Sequence, residues 1–322
     1  MVNKEYILKR LGLAVLVMFG VYTIGFTLTF VAPGNPAQAA LGQKANKEAV
    51  EALEEQWGLN EPLPVQYKNY LINFINLDWG ESFRYRGESV TGILASRYPK
   101  TMYYAVWSLV FAIVMSIPLG LIAAYKQNTW VDNLSVLVSQ VGISIPNFWL
   151  GMLIIAILAV WLDLISVVPD VPTGSLWSFP GFFTHVTDYF GIIITLGTAL
   201  MARNTRMTRS STLDVLSEEY ITMARAKGLK ERTVVLKHAL RNALIPVVTS
   251  IGFNLLLLFG GAVVVETVFG LNGIGKLYID SIIRRDYPII IALLLTYTIG
   301  VVFVNLIIDI SYSVIDPRVQ LR

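Results

Sequence analysis

Hydrophobic residues along the chain fall into long, nearly unbroken runs separated by polar connections. A helix needs ~20 predominantly apolar residues to cross a bilayer, and six runs of about that length are present. They cover residues of about 9–32, 101–125, 133–162, 189–208, 246–268 and 289–312. The third run is interrupted by Gly142 and Pro146, but prolines and glycines inside such runs are tolerated where neighbouring helices satisfy the backbone. The pattern predicts an all-α polytopic membrane protein with six transmembrane helices.

Lysine and arginine distinguish the two sides of this arrangement. The connection 203–245 carries nine of them, 163–188 carries none and 269–288 carries three. Because short cytoplasmic connections are enriched in these residues, both termini and the segments 126–132 and 203–245 are predicted inside. The apolar run after Lys9 and Arg10 is longer than the core of a signal peptide, so we interpret it as a retained first helix.

This topology divides the chain into three parts. Residues 1–32 form the N-terminus and first transmembrane helix, 33–100 an extracytoplasmic loop domain, and 101–322 a five-helix core with a cytoplasmic loop at about 210–245. The loop domain contains two amphipathic segments, at 44–57 and 65–77, which predict helices. Two compatible interpretations are a cap packed on the membrane helices and a docking surface for an external delivery protein.

Composition excludes several classes of chemistry. The chain is 55% hydrophobic, 15% charged and free of cysteine, so thiolate catalysis, disulfides and cysteine-ligated metals are excluded. The two histidines, His185 and His238, are far apart in sequence, and we expect no metal site. No nucleophile with a base and no paired catalytic carboxylates are evident, so no enzyme is predicted. The net charge of +3 gives no indication of nucleic-acid binding.

The stretch GLNGIGKL, residues 270–277, fits seven positions of the phosphate-binding pattern G-x-x-x-x-G-K-[ST]. The eighth position is Leu277, which has no hydroxyl to hold a magnesium ion. The stretch also lies between the last two predicted spans, on the exterior side, where no ATP is present. We therefore expect the glycines to serve a sharp backbone turn and any ATP to be bound by another chain.

The cytoplasmic loop contains a short helix with recognisable ends. Ser217 is expected to cap its start, Glu218 and Glu219 favour the positive end of the helix dipole, and Gly228 fits the left-handed position after its end. A second helix is predicted from Glu231 to about residue 244, before the next span begins at residue 246. Two interpretations remain open: a rigid lever that a partner protein contacts, with the small residues Ala224 and Ala226 allowing close approach, or amphipathic helices lying on lipid headgroups.

Nine sequence motifs together resemble the membrane subunits of ABC importers, and most closely the B-type permease of the dipeptide and oligopeptide class. The resemblance extends over nearly the whole chain. Two departures are Ala224-Arg-Ala226 in place of the general Glu-Ala-Ala and Asn272 where the class has proline. The motifs are EYITMARAKGL (219–229), KHALRNALIP (237–246), PGNP (33–36), LNEP with QY (59–62 and 66–67), DWGES (78–82), SIPNFW (144–149), VVETVF (264–269), RRDYP (284–288) and DPR (316–318).

The resemblance implies a type I importer in the cytoplasmic membrane. This chain would pair with a C-type permease subunit, contact two cytosolic ATPases that hold ATP and magnesium, and receive substrate from an extracytoplasmic binding protein. It would itself carry no cofactor. The residues expected to couple to the ATPases are Glu219, Tyr220, Ala224, Arg225, Ala226, Lys227, Gly228 and Leu229.

Polar residues within or near the spans are candidates for the translocation pathway. Asn254, Glu266 and Asn305 are the candidates, because intramembrane polar groups face a bundle interior or a cavity. Helix–helix contact is the alternative for each. Arg203, Arg206 and Arg209 are expected to extend to lipid headgroups, with pathway lining as the alternative.

Other functions remain to be weighed against peptide import. Nickel and oligosaccharide importers share the architecture that the resemblance implies, and the sequence does not separate them. From a different class, an ion-coupled secondary transporter would show mid-span carboxylates and an internal repeat of the spans. The acidic residues instead cluster in connections or near span ends, and no convincing repeat is evident.

Overall fold

The computed structural model describes residues 4–31, 34–42, 45–85, 87–169, 176–178 and 181–315. In these residues the regular structure is helical, apart from one isolated antiparallel bridge between Glu81 and Ser89. The sequence motif at 316–318 and Pro33 of the motif at 33–36 lie outside the described residues. The helices are α1 (Lys4–Val31), α2 (Pro36–Leu41), α3 (Lys47–Gln56), α4 (Leu63–Ile75), α5 (Val90–Tyr125), α6 (Trp130–Ser144), α7 (Asn147–Trp161), α8 (Gly181–Thr184), α9 (Phe190–Leu216), α10 (Glu219–Ala226), α11 (Glu231–Phe259), α12 (Val263–Val268), α13 (Ile274–Arg284) and α14 (Tyr287–Ile315).

Helices long and apolar enough to span a membrane agree in part with the predicted spans. Among the described residues α5, α11 and α14 meet that description, and α6 with α7 forms a fourth span if the bent pair is counted as one. The first predicted span is α1, with a shorter apolar section at Gly12–Leu28, and the fourth lies within α9. The chain is thus a helical protein with several apolar helices, and the number six and the inward termini remain predictions.

The second span begins eleven residues earlier than its apolar run suggested. α5 starts at Val90, because the Ser89 side chain accepts a hydrogen bond from the backbone N–H of Gly92, and it continues through Pro99. It packs along α9 so closely that a Cβ on Gly120 would lie 2.6 Å from the Thr208 Cβ. The predicted boundary at residue 100 between loop domain and core therefore falls inside a helix.

The third span is broken where the sequence has proline. α6 and α7 are bent by 98° at Ile145 and Pro146. Pro146 has no N–H to continue the ladder of α6, and the backbone N–H of Leu150 bonds to its carbonyl in the first turn of α7 (3.1 Å). The predicted helix at 133–162 is therefore two helices.

The fifth span differs from the prediction at both ends. α11 runs without a break from Glu231 to Phe259, with Pro246 inside it and a π-helical section at Val234–Ala239. The separate second helix ending near residue 244 was therefore wrong. At the other end the span stops at Phe259, because Gly261 has φ +85° and the chain turns into the short α12.

The predicted external domain packs against the first and last long helices. The Tyr22 hydroxyl of α1 donates to the Tyr67 carbonyl of α4 (2.6 Å), and Phe26 lies edge-on to the Tyr67 ring. In α3 Val50 is buried, and Gly58 beyond its end has φ +66°. These contacts support the interpretation of this region as a cap on the membrane helices.

Asp286 joins the segment 82–84 to the start of α14. Its fully buried carboxylate accepts hydrogen bonds from the Ser82 hydroxyl (2.5 Å) and from the backbone N–H groups of Phe83 (3.2 Å) and Arg84 (3.1 Å). Burial is the main cause that raises the pKa of Asp286 above the usual value, and these hydrogen bonds act against it. The DWGES motif is thereby fixed to the RRDYP motif.

Candidate functional site

The predicted cytoplasmic loop is built around α10, an exposed helix between the long helices α9 and α11. Its start differs from the prediction, since Ser217 makes no cap on α10 and donates instead to the Asp214 carbonyl at the end of α9 (2.6 Å). Its end agrees with the prediction. Gly228 has φ +76°, and its N–H bonds to the Arg225 carbonyl (2.9 Å). The turn after α10 thus depends on a left-handed residue.

The inner face of α10 is anchored by apolar packing. Ile221 and Ala224 are buried against Val234 and Ala239 at the beginning of α11. Ala224 therefore contacts its own chain, and the expectation that it lets a partner approach closely was wrong. Ala226 is exposed and remains accessible to a partner.

Two polar contacts fix the outer side of α10 to α11. Arg225 donates from Nε and Nη2 to the two carboxylate oxygens of Glu231, at 3.2 and 2.9 Å. The hydrogen bonds to Glu231 raise the pKa of Arg225 above its already high value. The Asn242 side-chain amide donates to the Tyr220 hydroxyl (2.6 Å). These contacts attach α10 to the first turns of α11.

The outward surface of the loop mixes apolar and charged side chains. Tyr220, Met223 and Leu229 are exposed by 38%, 61% and 39%. Sequence reasoning missed Met223, although it lies three residues after Tyr220 and so on the same helical face. Of the residues predicted to couple to ATPases, the exposed ones are Glu219, Tyr220, Arg225, Ala226, Lys227, Gly228 and Leu229.

The two helices that carry the loop are joined within the apolar region by amides. Asn204 of α9 accepts hydrogen bonds at Oδ1 from the Ser250 hydroxyl (2.9 Å) and from the Asn254 side-chain amide of α11 (3.2 Å). Asn204 and Asn254 are both buried in this single chain. For Asn254 this geometry favours the helix–helix alternative over pathway lining.

The position of the Glu266 side chain accounts for the glycines in the stretch GLNGIGKL. Its fully buried carboxylate accepts the backbone N–H groups of Gly275 (3.4 Å) and Lys276 (2.8 Å) in the first turn of α13, and the hydroxyl of Tyr104 donates to it. A Cβ on Gly273 would lie 2.4 Å from the Glu266 carboxyl carbon. The helix start that resembles a phosphate-binding loop is therefore occupied by a carboxylate of the same chain.

The remaining polar candidates have different environments. Asn305 on α14 is half-buried, and its assignment to the pathway stays a prediction. Arg203 and Arg206 are exposed, whereas Arg209 forms a two-point ion pair with the buried Asp132 of α6 (2.5 and 2.8 Å). Arg209 therefore connects helices at the predicted inner end of the bundle, and lipid headgroups are not its principal partner.

Two family models match this chain in succession. Residues 3–105 match the N-terminal model described as "Binding-prot-dependent transport system membrane comp, N-term". Residues 116–321 match the model described as "Binding-protein-dependent transport system inner membrane component". Together they extend over the long helices and the loop that carries α10.

Full-length relatives give the same result. The oligopeptide transport system permease protein AppB of Bacillus subtilis (strain 168) is 37% identical over 318 residues, which cover 98% of this chain and 99% of AppB. The glutathione transport system permease protein GsiC of Escherichia coli (strain K12) is 38% identical over 318 residues, with 99% of both chains covered.

Proposed function

The chain belongs to the family of binding-protein-dependent transport system inner membrane components, and from this membership we propose that it forms half of the translocation pathway of an ATP-driven peptide importer. The names of the relatives AppB and GsiC support a peptide-sized substrate, since they refer to oligopeptides and to the tripeptide glutathione. The other half of the pathway comes from a second, C-type permease subunit. ATP is hydrolysed on separate cytosolic subunits, and this chain is not catalytic.

The observation that carries the proposal is the attachment of α10. A short exposed helix is fixed to α11 by the buried pair Ile221 and Ala224 and by the Arg225–Glu231 ion pair. α11 in turn is joined to α9 through Asn204. A displacement of α10 by an ATPase therefore reaches two apolar helices, because packed elements move as units.

The proposed transport cycle also involves an external binding protein. An extracytoplasmic binding protein delivers substrate on the side of α3 and α4, and ATP-driven closure of the ATPases opens the pathway towards it. In the bilayer of the cell membrane the N-terminus and the C-terminus lie inside, as the distribution of lysine and arginine favours.

The experiment that tests the assembly is affinity purification of the tagged chain from its native membrane, with partners identified by mass spectrometry. We expect a second permease subunit, ATPases with a phosphate-binding loop, and a binding protein. The binding protein is then screened with di- and oligopeptides, nickel ions and oligosaccharides. If the binding protein binds nickel or a sugar and no peptide, the proposed peptide substrate is wrong. The proposed arrangement of subunits is unaffected by that result.

A second measurement distinguishes the ATP-driven importer from an ion-coupled secondary transporter. Uptake is followed in cells treated with a protonophore while the ATP concentration is held constant. Continued uptake is expected for the importer, because ATP hydrolysis drives it directly. Loss of uptake, together with isolation of the chain without any ATPase, would favour a secondary transporter.

A further inference from the structure

A groove of about 380 Å³ lies between α1, α13 and α14, apart from the loop that carries α10. A volume of this size is within the range of ligand-binding pockets, and the proposed transport cycle assigns no role to the groove. Five of its lining residues are apolar: Gly25, Leu28, Ile282, Ile290 and Leu294. Most of the lining therefore suits a hydrocarbon ligand.

The lining also contains two tyrosines, Tyr278 and Tyr287, and one charged residue, Arg285. Arg285 follows the end of α13 in the left-handed conformation, with φ +57°. Arginine adopts this conformation rarely, whereas glycine adopts it without strain. The backbone therefore gives no reason for an arginine at this position, and the residue has to be explained by what its side chain contacts.

The Arg285 guanidinium is half-buried and packs against Gly34, where a Cβ would collide with it. It forms no ion pair and no side-chain hydrogen bond in the part of the chain that the structure describes. The neighbouring Asp286 does not pair with it, because that buried carboxylate accepts hydrogen bonds from the segment 82–84. The guanidinium therefore attracts an anion from outside the described chain.

Tyr287 adds an independent requirement for a hydrogen-bond partner. Only 5% of this residue is exposed, and its ring packs against Phe30, with the ring centroids 4.8 Å apart. Its hydroxyl has no hydrogen-bond partner among the described residues and is not completely enclosed. The phenol also interacts electrostatically with Arg285. A buried polar group without a partner is unfavourable, and an anion bound at Arg285 would accept the hydrogen bond of this hydroxyl.

We propose that this groove is a binding site for a phospholipid. The phosphate accepts hydrogen bonds from Arg285 and Tyr287, and the planar guanidinium matches its geometry. An acyl chain covers the apolar lining, of which Leu28 and Ile282 are exposed by 68% and 45%. A free phosphate would leave this apolar surface uncovered, and an uncharged hydrocarbon would leave the guanidinium unpaired. The inference does not rest on the transport function, because binding needs only this chain.

The test uses the full chain in an uncharged detergent and follows bound lipid by native mass spectrometry. The probe is dioleoyl-phosphatidylglycerol. Dioleoylglycerol offers the same acyl chains without the phosphate, and inorganic phosphate offers the anion without the chains. We expect saturable binding of phosphatidylglycerol at a single site and much weaker binding of the other two compounds.

Two substitutions test the phosphate contact. Arg285→Asn removes the charge, while asparagine tolerates the left-handed backbone. The Kd of phosphatidylglycerol is expected to rise roughly tenfold, because hydrogen bonds between charged groups are the strong ones. Arg284→Gln is the matched control, since Arg284 is an exposed neighbour that does not line the groove, and the Kd of this variant should be unchanged.

A second pair of substitutions tests the acyl-chain contact. Ile282→Ser is expected to raise the Kd roughly fivefold, because the bound chain then buries less apolar surface. Ile283→Ser is its control, since Ile283 is 72% exposed but does not line the groove. Elution of each variant as a single species checks that it is folded.

The alternatives give distinct results. An equal rise of the Kd in Arg284→Gln or Ile283→Ser would overturn the proposal, because the loss would then reflect general properties of the surface. Equal binding of dioleoylglycerol, or binding of inorganic phosphate alone, would also overturn it. A photoreactive residue at position 282 should label lipid in the native membrane, and labelling of a protein instead would exclude a lipid occupant. A failed search for ATPase partners would refute the proposed function and leave this result intact.

Discussion

At the scale of single residues, buried carboxylates determine how the elements of the predicted external side are joined. Glu266 takes the place that a phosphate would occupy at a helix start, and it satisfies N–H groups that α13 cannot pair internally. The glycines around it are required by contact, since a Cβ on Gly261 would lie 2.2 Å from the Gly275 nitrogen. The glycine-rich pattern thus indicates that another group lies close to the backbone here. The sequence alone does not identify that group.

Replacing Glu266 by glutamine tests this interpretation. The amide retains the size of the side chain but offers one acceptor oxygen where the carboxylate offers two, so one N–H of the first turn of α13 loses its partner. We expect a loss of ~1–3 kcal/mol, the cost of an unsatisfied buried group. The measurement is the temperature at which half of the detergent-solubilised protein remains monodisperse. Glu48→Gln, on an exposed glutamate of α3, is the control and should not change it.

Asp286 gives a prediction for pH. Its pKa is raised in the folded chain, so the folded state binds more protons than the unfolded state at pH values just above the usual aspartate pKa of ~3.9. The free energy of unfolding therefore falls as pH rises from that value through the folded pKa. Asp286→Asn should remove this dependence. The measurement is the difference in stability between parent and variant from pH 4 to pH 7, and a constant difference would contradict the assignment.

At the scale of elements, local sequence signals predicted the end of α10 but not how the neighbouring segments connect to it. The left-handed Gly228 was foreseen because a helix end is a local feature of backbone and side chain. The role of Ser217 was not, because its hydroxyl bonds to the preceding helix. The continuity of α11 through Pro246 also escaped prediction, since packing against α9 and α14 is not visible in one segment.

Gly228→Val tests the turn after α10. No atom lies within 4 Å of a Cβ built on Gly228, so the substitution acts only through the backbone. A β-branched residue at positive φ costs on the order of 1–3 kcal/mol. Since ~1.4 kcal/mol changes an equilibrium tenfold, we expect uptake to fall roughly tenfold at equal expression.

Two further substitutions make the Gly228 result specific. Gly228→Asn should retain most uptake, because asparagine tolerates the left-handed region. Gly87→Val introduces the same strain at φ +78°, also in open space, but in the predicted external region, and should leave coupling intact. Normal uptake by Gly228→Val would refute the assignment of α10 as the coupling helix.

At the scale of the whole molecule, the hydrophobic pattern predicted where the long helices lie and not how they bend. The runs near 101–125 and 289–312 correspond to α5 and α14. The sequence marked Gly142 and Pro146 as interruptions of the third run but did not give the 98° bend between α6 and α7, and the turn at Gly261 escaped the prediction. A proline or glycine within an apolar run is compatible with a straight, kinked or broken helix. Which of these forms occurs is determined by contacts between segments that are distant in sequence.

The predicted orientation can be tested directly because the chain has no cysteine, so a single introduced thiol is the only target of a maleimide reagent. Glu51 of α3 and Lys230 before α11 are both exposed but should face opposite sides of the membrane. In spheroplasts, Glu51→Cys should react with a membrane-impermeant maleimide, and Lys230→Cys only after permeabilisation. Because the lysine and arginine distribution sets the orientation, the reverse result would place α10 outside and remove it from contact with cytosolic ATPases.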